Sequence, residues 1–189
     1  MIKVITIYWS GYGHTKCLAE AVHGGVSGVG GVEAHLLDAE NHGEPDKLDM
    51  FDDADAIIFG TPTYMGGPAA AFKKFMDAAG QKWLSQAWKD KIAGGFTNSG
   101  SLSGDKQGTL QALIVNALQH GMIWVGQAEM PENNERIESP GPDAVNRFGA
   151  FMGVMSKSNS AGGGPSEGDL KTGRLYGKRV AEVTLKFRG

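Results

Sequence analysis

The chain is predicted to fold as a parallel three-layer α/β sandwich, and three observations carry that expectation. Short apolar runs of strand length alternate with segments of helical periodicity along most of the sequence. Most of those runs end in Gly-, Ser- or Thr-rich turn chemistry, and the first runs straight into a small-residue loop and a helix. Runs that are apolar at successive positions suit strands covered on both faces, as parallel sheets require.

Ile2, Val4, Ile5, Ile7 and Tyr8 make the first strand, and Thr15 onward reads as a helix with Leu18, Ala19 and Val22 on one side. Val32 to Leu37 is a short second strand, and Ala54 to Gly60 a stronger third one. Pro68 is suited to the first position of a helix that carries Ala71, Phe72, Phe75, Met76 and Ala79 on one face, with Gly80 closing it. Ile92 to Thr97 is the fourth strand. Thr109 to Leu118 is helical, with Leu110, Leu113, Ile114, Ala117 and Leu118 in register, and Gly121 precedes a fifth strand, Met122 to Val125. Residues 126 to 168 hold four prolines and the run Ser156 to Gly164, and read as a long irregular surface excursion. A C-terminal helix opens near Ser166, with Asp169 in its first turn and a stripe through Leu175 or Tyr176, Val180, Val183 and Phe187.

Five strands joined by right-handed crossovers predict one domain over 1–189 with sheet order 2-1-3-4-5. The strand order then reverses between strands 1 and 3. A ligand sits beyond the strand ends at such a point, where the turns 10–15 and 61–67 converge.

The turn Ser10, Gly11, Tyr12, Gly13, His14, Thr15 has the chemistry of a phosphate trap. Hydroxyls of Ser10, Tyr12 and Thr15 and the free N–H groups of a helix start can meet a phosphate without Lys or Arg. Glycines at 11 and 13 let the backbone curl around it. Position 16 is Lys, so the third glycine of a dinucleotide fingerprint is missing, and no Gly-Lys-Ser/Thr run occurs anywhere. A mononucleotide is the expected ligand; the plainer alternative is a capped helix in a tight turn. The loop after strand 3, Thr61 to Gly67, and the loop after strand 4, Thr97 to Gly104, add hydroxyls, an aromatic ring, a thioether and many backbone donors. That mixture suits a planar heterocycle that carries partial negative charge.

Composition bounds the rest. The formal charge of −3, with 21 acidic against 18 basic residues and no basic stripe, argues against nucleic acid. No apolar run is long enough to span a membrane, and no basic leader precedes the first strand. One cysteine, Cys17, excludes an internal disulfide and is expected as a small buried residue of the first helix, so a cytoplasmic location is expected. His23, His35 and His42 lack partners at ligand spacing, so no metal site is expected. The 29 glycines fall mostly in the turns between apolar runs and show no period.

Tyr8-Trp-Ser-Gly-Tyr-Gly-His-Thr15, Phe59-Gly-Thr-Pro-Thr-Tyr-Met-Gly66 and Gln119-His-Gly-Met122 resemble the flavodoxin-like family, and within it the WrbA-type NAD(P)H:quinone oxidoreductases. The similarity runs over nearly the whole chain, densest in these loops and thin from 127 to 168. It implies a flavodoxin-like fold, FMN as cofactor, NADH or NADPH as donor, two-electron ping-pong reduction of a quinone, and a homodimer or homotetramer. By residue it implies Ser10 to Thr15 on the phosphate. Pro62, Thr63, Tyr64, Met65 and Gly66, with Thr97, Asn98, Ser99, Gly100, Ser101, Leu102 and Ser103, would surround the ribityl chain and the ring. Tyr12 would lie near the nicotinamide, and Trp83 would wall the flavin face; Trp83 could equally pin the segment before strand 4, as could Trp88.

Two departures stand out. The family carries a longer segment between strands 2 and 3 than Asp38 to Asp53, a region that contributes to its subunit packing. It also has paired histidines before Gly-Met, the first expected near the flavin, where this chain has Gln119 and then His120. His120 is either a residue capping its helix end or a cofactor contact. Should a side chain give the quinone a proton, Tyr64 and His120 are the candidates. The rival functions are a one-electron carrier of the flavodoxin sort, which would ordinarily show a denser acidic docking face, and a non-catalytic FMN-binding module.

Overall fold

A computed structural model describes residues 1–132, 141–158 and 163–188. The first apolar run, β1 (Ile2–Tyr8), lies inside the sheet, parallel to β2 (Val32–Asp38) on one side and to β3 (Ala56–Tyr64) on the other. Beyond β3 comes β5 (Ile92–Ser99) and then β6 (Ile123–Trp124). A two-residue strand, β4 (Gly67–Pro68), folds back antiparallel on the end of β3. With that stub set aside, the order is the expected one.

Alternating side chains divide into two cores, because successive Cβ atoms of a strand point to opposite faces. Ile5, Ile7, Ile57 and Phe59 pack with α3 (Ala70–Ala78), α5 (Lys106–Gln119) and the 3-10 turn Pro45–Phe51. Val4, Ala56, Ile58 and Phe96 pack with α1 (His14–Ser27) and α6 (Glu167–Arg188). Short helices α2 (Ala39–His42) and α4 (Gly80–Ser85) complete the connections.

The structure corrects three expectations. Pro68 does not open a helix: it pairs with Thr63 in β4, and the amide of Ala69 donates to Thr61 Oγ1 (3.2 Å) before α3 begins at Ala70. The cause is the turn at Met65 and Gly66, both left-handed (φ 50° and 83°), which sends the chain back along β3. Phe72, Phe75, Met76 and Ala79 are buried as expected, whereas Ala71 faces solvent. Cys17 is exposed, on the outer side of α1, while Leu18, Ala19 and Val22 take the core.

The third correction concerns the stretch read as wholly irregular. The fifth strand position is filled by two separate pieces. β6 pairs only with Ile92 and Ala93; the chain then leaves and returns as β7 (Val154–Lys157), parallel to Phe96–Ser99 of β5. Residues 133–140 and 159–162 of that stretch lie outside the described residues. The break would strand polar backbone groups inside the protein, and Tyr176 of α6 closes it. Its buried hydroxyl accepts from Gly95 N (3.0 Å) and donates to Val125 O (2.7 Å). Trp124 Nε1 donates to Met152 O (2.7 Å) and Gln127 N to Phe151 O (2.9 Å), tying the two ends of the excursion together.

Helices α1 and α6 meet backbone to backbone. A Cβ on Gly177 would lie 1.9 Å from Val22 O, and one on Gly25 would lie 1.9 Å from Arg174 O. Gly177→Ala is therefore expected to lower stability by about 1–3 kcal/mol in chemical denaturation. Gly24→Ala, where a Cβ meets nothing on the same helix, is expected to raise it by about 0.5–1 kcal/mol, which makes the first loss one of packing rather than of propensity.

Candidate functional site

The site forms where the carboxyl ends of β1, β3 and β5 meet. At the first turn, Gly13 is the N-cap of α1 with φ 84°, a left-handed conformation that costs a side-chain-free residue nothing. The helix start has no side-chain cap and no acidic residue in its first turn, so its leading N–H groups and the positive end of its dipole are available to an anion. Ser10 Oγ is buried and has no hydrogen-bond partner among the described residues, and Thr15 is buried beside it in sequence at the first turn. A buried hydroxyl without a partner is costly unless a ligand supplies one.

The second wall comes from the end of β3. Tyr64 stands edge-on to Trp9 (centroids 6.1 Å, 87°) and to Tyr12 (6.4 Å, 66°), in a row of three rings. Burial and, less strongly, the Tyr12 phenol raise the Tyr64 pKa, so its O–H stays a donor at neutral pH. Beneath it runs a chain of buried hydroxyls: Thr97 Oγ1 lies 2.8 Å from Thr63 Oγ1, which donates to Thr109 Oγ1 (2.7 Å).

The third wall is the loop after β5, held from the side by the returning strand. Ser156 Oγ donates to Asn98 Oδ1 (2.8 Å), Asn98 Nδ2 donates to Ser158 Oγ (3.0 Å), and Ser158 N donates to Ser99 O (3.1 Å). Lys106, fully buried at the start of α5, donates to Ser99 Oγ (3.1 Å) and to the carbonyls of Ser101 (2.7 Å) and Leu102 (2.8 Å).

These walls enclose a cavity of about 520 Å³ lined by Ser10, Gly11, Tyr12, His14, Thr15, Pro62, Thr63, Tyr64, Asn98, Ser99, Gly100 and Ser158. A space of that size suits a small organic cofactor. The partnerless Ser10 hydroxyl and uncapped helix start fit a phosphate, and the aromatic row with neutral backbone donors fits a flat polar ring, so the residues present fit FMN.

Several residues expected here lie elsewhere. Gly13 shapes the turn from behind, and Thr97 is wholly buried under Thr63. Met65 and Gly66 form the exposed turn beyond Tyr64. Ser101 turns its carbonyl to Lys106, and Leu102 and Ser103 line a neighbouring groove with Phe148 and Phe151. Trp83, Gln119 and His120 are not brought to the cavity within one chain. Helix α5 runs antiparallel to β5 and delivers His120 to the amino edge of the sheet, where it is buried against Trp88 (4.6 Å between centroids) and kept neutral by burial. Trp83 sits on α4 at that same far edge, half exposed, next to Lys82, which is paired with Asp49 and Asp52 ahead of β3. Ser158 was not anticipated; its serine-rich surroundings read as loop, and only its pairing with Asn98 and Ser99 marks it.

Residues 2–135 match the model of the NADPH-dependent FMN reductase family. The flavodoxin FldP of Pseudomonas aeruginosa is 42% identical over 187 residues, covering 97% of each chain. An NAD(P)H dehydrogenase (quinone) of Geobacter sulfurreducens is 33% identical over 212 aligned positions, covering 100% of each. The crystal structure of a flavodoxin, WrbA-like protein from Agrobacterium tumefaciens superposes with a TM-score of 0.75 at 41% identity, covering 98% of this chain and 99% of that one. With the flavodoxin-like fold, the motifs and these relatives in agreement, this chain belongs to the NADPH-dependent FMN reductase family.

Proposed function

We propose that this protein is an FMN-dependent NAD(P)H:quinone oxidoreductase. The observation that carries the reading is the cavity itself: an uncapped helix start with a partnerless buried hydroxyl at one end, and a row of tyrosines beside neutral backbone donors at the other. FMN, when bound, supplies the acceptance of two electrons as hydride and their delivery to a second molecule. The chain's own part is binding and orientation. Ser10, Thr15 and the start of α1 hold the phosphate, Tyr12 and Tyr64 offer ring faces and edges to a flat substrate, and the 98–100 backbone faces the ring. In this reading Tyr64, which lines the cavity and stays protonated, is the candidate to give the quinone a proton.

A flavodoxin-type carrier is the second reading, and one observation favours it. The alignment with FldP runs over 187 positions, whereas that with the Geobacter quinone dehydrogenase runs over 212, so the latter relative carries residues that this 189-residue chain lacks. Anaerobic oxidation of NADH and NADPH with benzoquinone separates the two. Ping-pong turnover is expected; FMN binding without pyridine-nucleotide oxidation would give the carrier reading first place.

Ser10→Ala is expected to weaken FMN binding about tenfold or more, because it removes a hydrogen bond to a charged group. Riboflavin, which lacks the phosphate, should bind both forms alike in the same fluorescence titration.

We further infer that Trp83 walls a flavin only across a subunit boundary, since its own chain carries it to the far edge of the sheet. Sedimentation of the FMN-loaded protein is expected to give a dimer or tetramer, and Trp83→Ala to raise the KM for quinone with FMN stoichiometry unchanged. A fully active monomer would remove Trp83 from the site.

A further inference from the structure

Lys106 is the one fully buried cation of the described core that the reading above leaves without a task. Its position is unfavourable three times over. It has no exposed surface, it is the first residue of α5 and so lies at the positive end of that helix dipole, and the Arg147 guanidinium shares its surroundings. Among the described residues no carboxylate lies within ion-pair distance of it. The nearby one, Asp169, is taken: Arg147 Nε and Nη2 donate to its two oxygens (2.7 and 2.8 Å), and Lys157 N adds a third bond (3.0 Å).

What holds the ammonium is neutral. Ser99 Oγ and the carbonyls of Ser101 and Leu102 accept from it, and it lies 4.7 Å from the centre of the Phe148 ring, which Arg147 also faces at 4.6 Å. Burial brings its pKa down to about 8. The charge therefore sits directly behind Ser99, which lines the cavity, with one positive charge in excess across Lys106, Arg147 and Asp169.

A cation with no carboxylate at ion-pair distance among the described residues, set behind a cofactor cradle, favours whichever state of the cofactor is more negative. We propose that Lys106 is a positioning residue that shapes the 99–102 loop from beneath and, through its charge, selectively tightens the binding of reduced, anionic FMN. The proposal rests on the FMN reading above and adds the residue that sets the cofactor's redox poise.

The test compares oxidised and reduced FMN affinities, from titration and from the midpoint potential, in the wild type, Lys106→Gln, Lys106→Met and Lys106→Arg. Gln can still donate to the loop carbonyls but carries no charge. The ratio of reduced to oxidised affinity is expected to fall about tenfold in Gln and Met, a drop of about 30 mV in the two-electron potential, and to recover in Arg. An unchanged ratio in all three, or recovery in Gln as full as in Arg, overturns the role of the charge. A wild-type protein that binds no FMN overturns the cofactor reading itself, a different result.

Should the variants fail to fold by circular dichroism, the wild type decides alone. The charged groups that act on Lys106 are Asp169 from α6, Arg147 from the excursion and Lys157 from β7; its chain neighbour Asp105 is exposed. The ammonium is present below about pH 8 and lost above it, so a ligand that favours the charged form binds most tightly below pH 8. Affinity for reduced FMN should therefore decline as pH rises from 7.5 toward 9.5, by about tenfold. A flat profile over that range overturns the proposal.

Discussion

The ladder between Phe96–Ser99 of β5 and Val154–Lys157 of β7 is closed by a segment that re-enters the sheet after β6, which pairs only with Ile92 and Ala93. The third wall of the cavity leans on this re-entry. It delivers Ser156 and Ser158 to the two ends of the Asn98 amide, and so fixes the backbone from which the 99–102 loop springs. It also sets Lys157 N on Asp169, and Asp169 in turn holds Arg147 against Phe148. Such an arrangement needs the Tyr176 hydroxyl at the break, because Gly95 N and Val125 O would otherwise be buried with their hydrogen-bonding capacity unspent.

Charge in the cavity is supplied indirectly. Among the described residues its lining is made of hydroxyls, an amide, small residues, aromatic rings and His14, with no Lys or Arg. Positive potential comes from the start of α1 at one end and from a lysine hidden behind Ser99 at the other. An arrangement of this sort binds an anion without presenting a cation to solvent, which keeps the lining neutral toward apolar, flat substrates.

The two edges of the sheet carry different residues of one anticipated site. The carboxyl edge holds the cradle; the amino edge holds Trp83, Gln119 and His120. His120 is buried there as a neutral ring tilted against Trp88, packing α5 at the β5 entry. Trp83 and Leu84 are exposed on α4.

Local pattern alone determined the parallel α/β class, the strand order, and the convergence of the turns 10–15 and 61–67, with the loop 97–104 beside them; the structure narrows these to 10–15, 62–64 and 98–100. These follow from strand and helix periods and from the rule that binding turns collect where strand order reverses. The departures have a common physical origin in contacts between residues far apart in the chain. The glycines of α1 and α6 look like any turn-forming glycine until Gly177 is seen to touch Val22 O. Val154 to Lys157 is too short and too polar to read as a strand, and becomes one because β5 offers an unpaired edge there. Nothing in the local sequence marks Lys106, which is buried because the excursion brings Phe148 and Arg147 over it. Helix direction separated Trp83 and His120 from the cradle, since an antiparallel return carries the end of each crossover helix to the opposite edge of the sheet. Sequence period thus decides which elements form and which turns gather, whereas burial, pairing and charge partners belong to the tertiary structure, because each depends on what a distant segment brings.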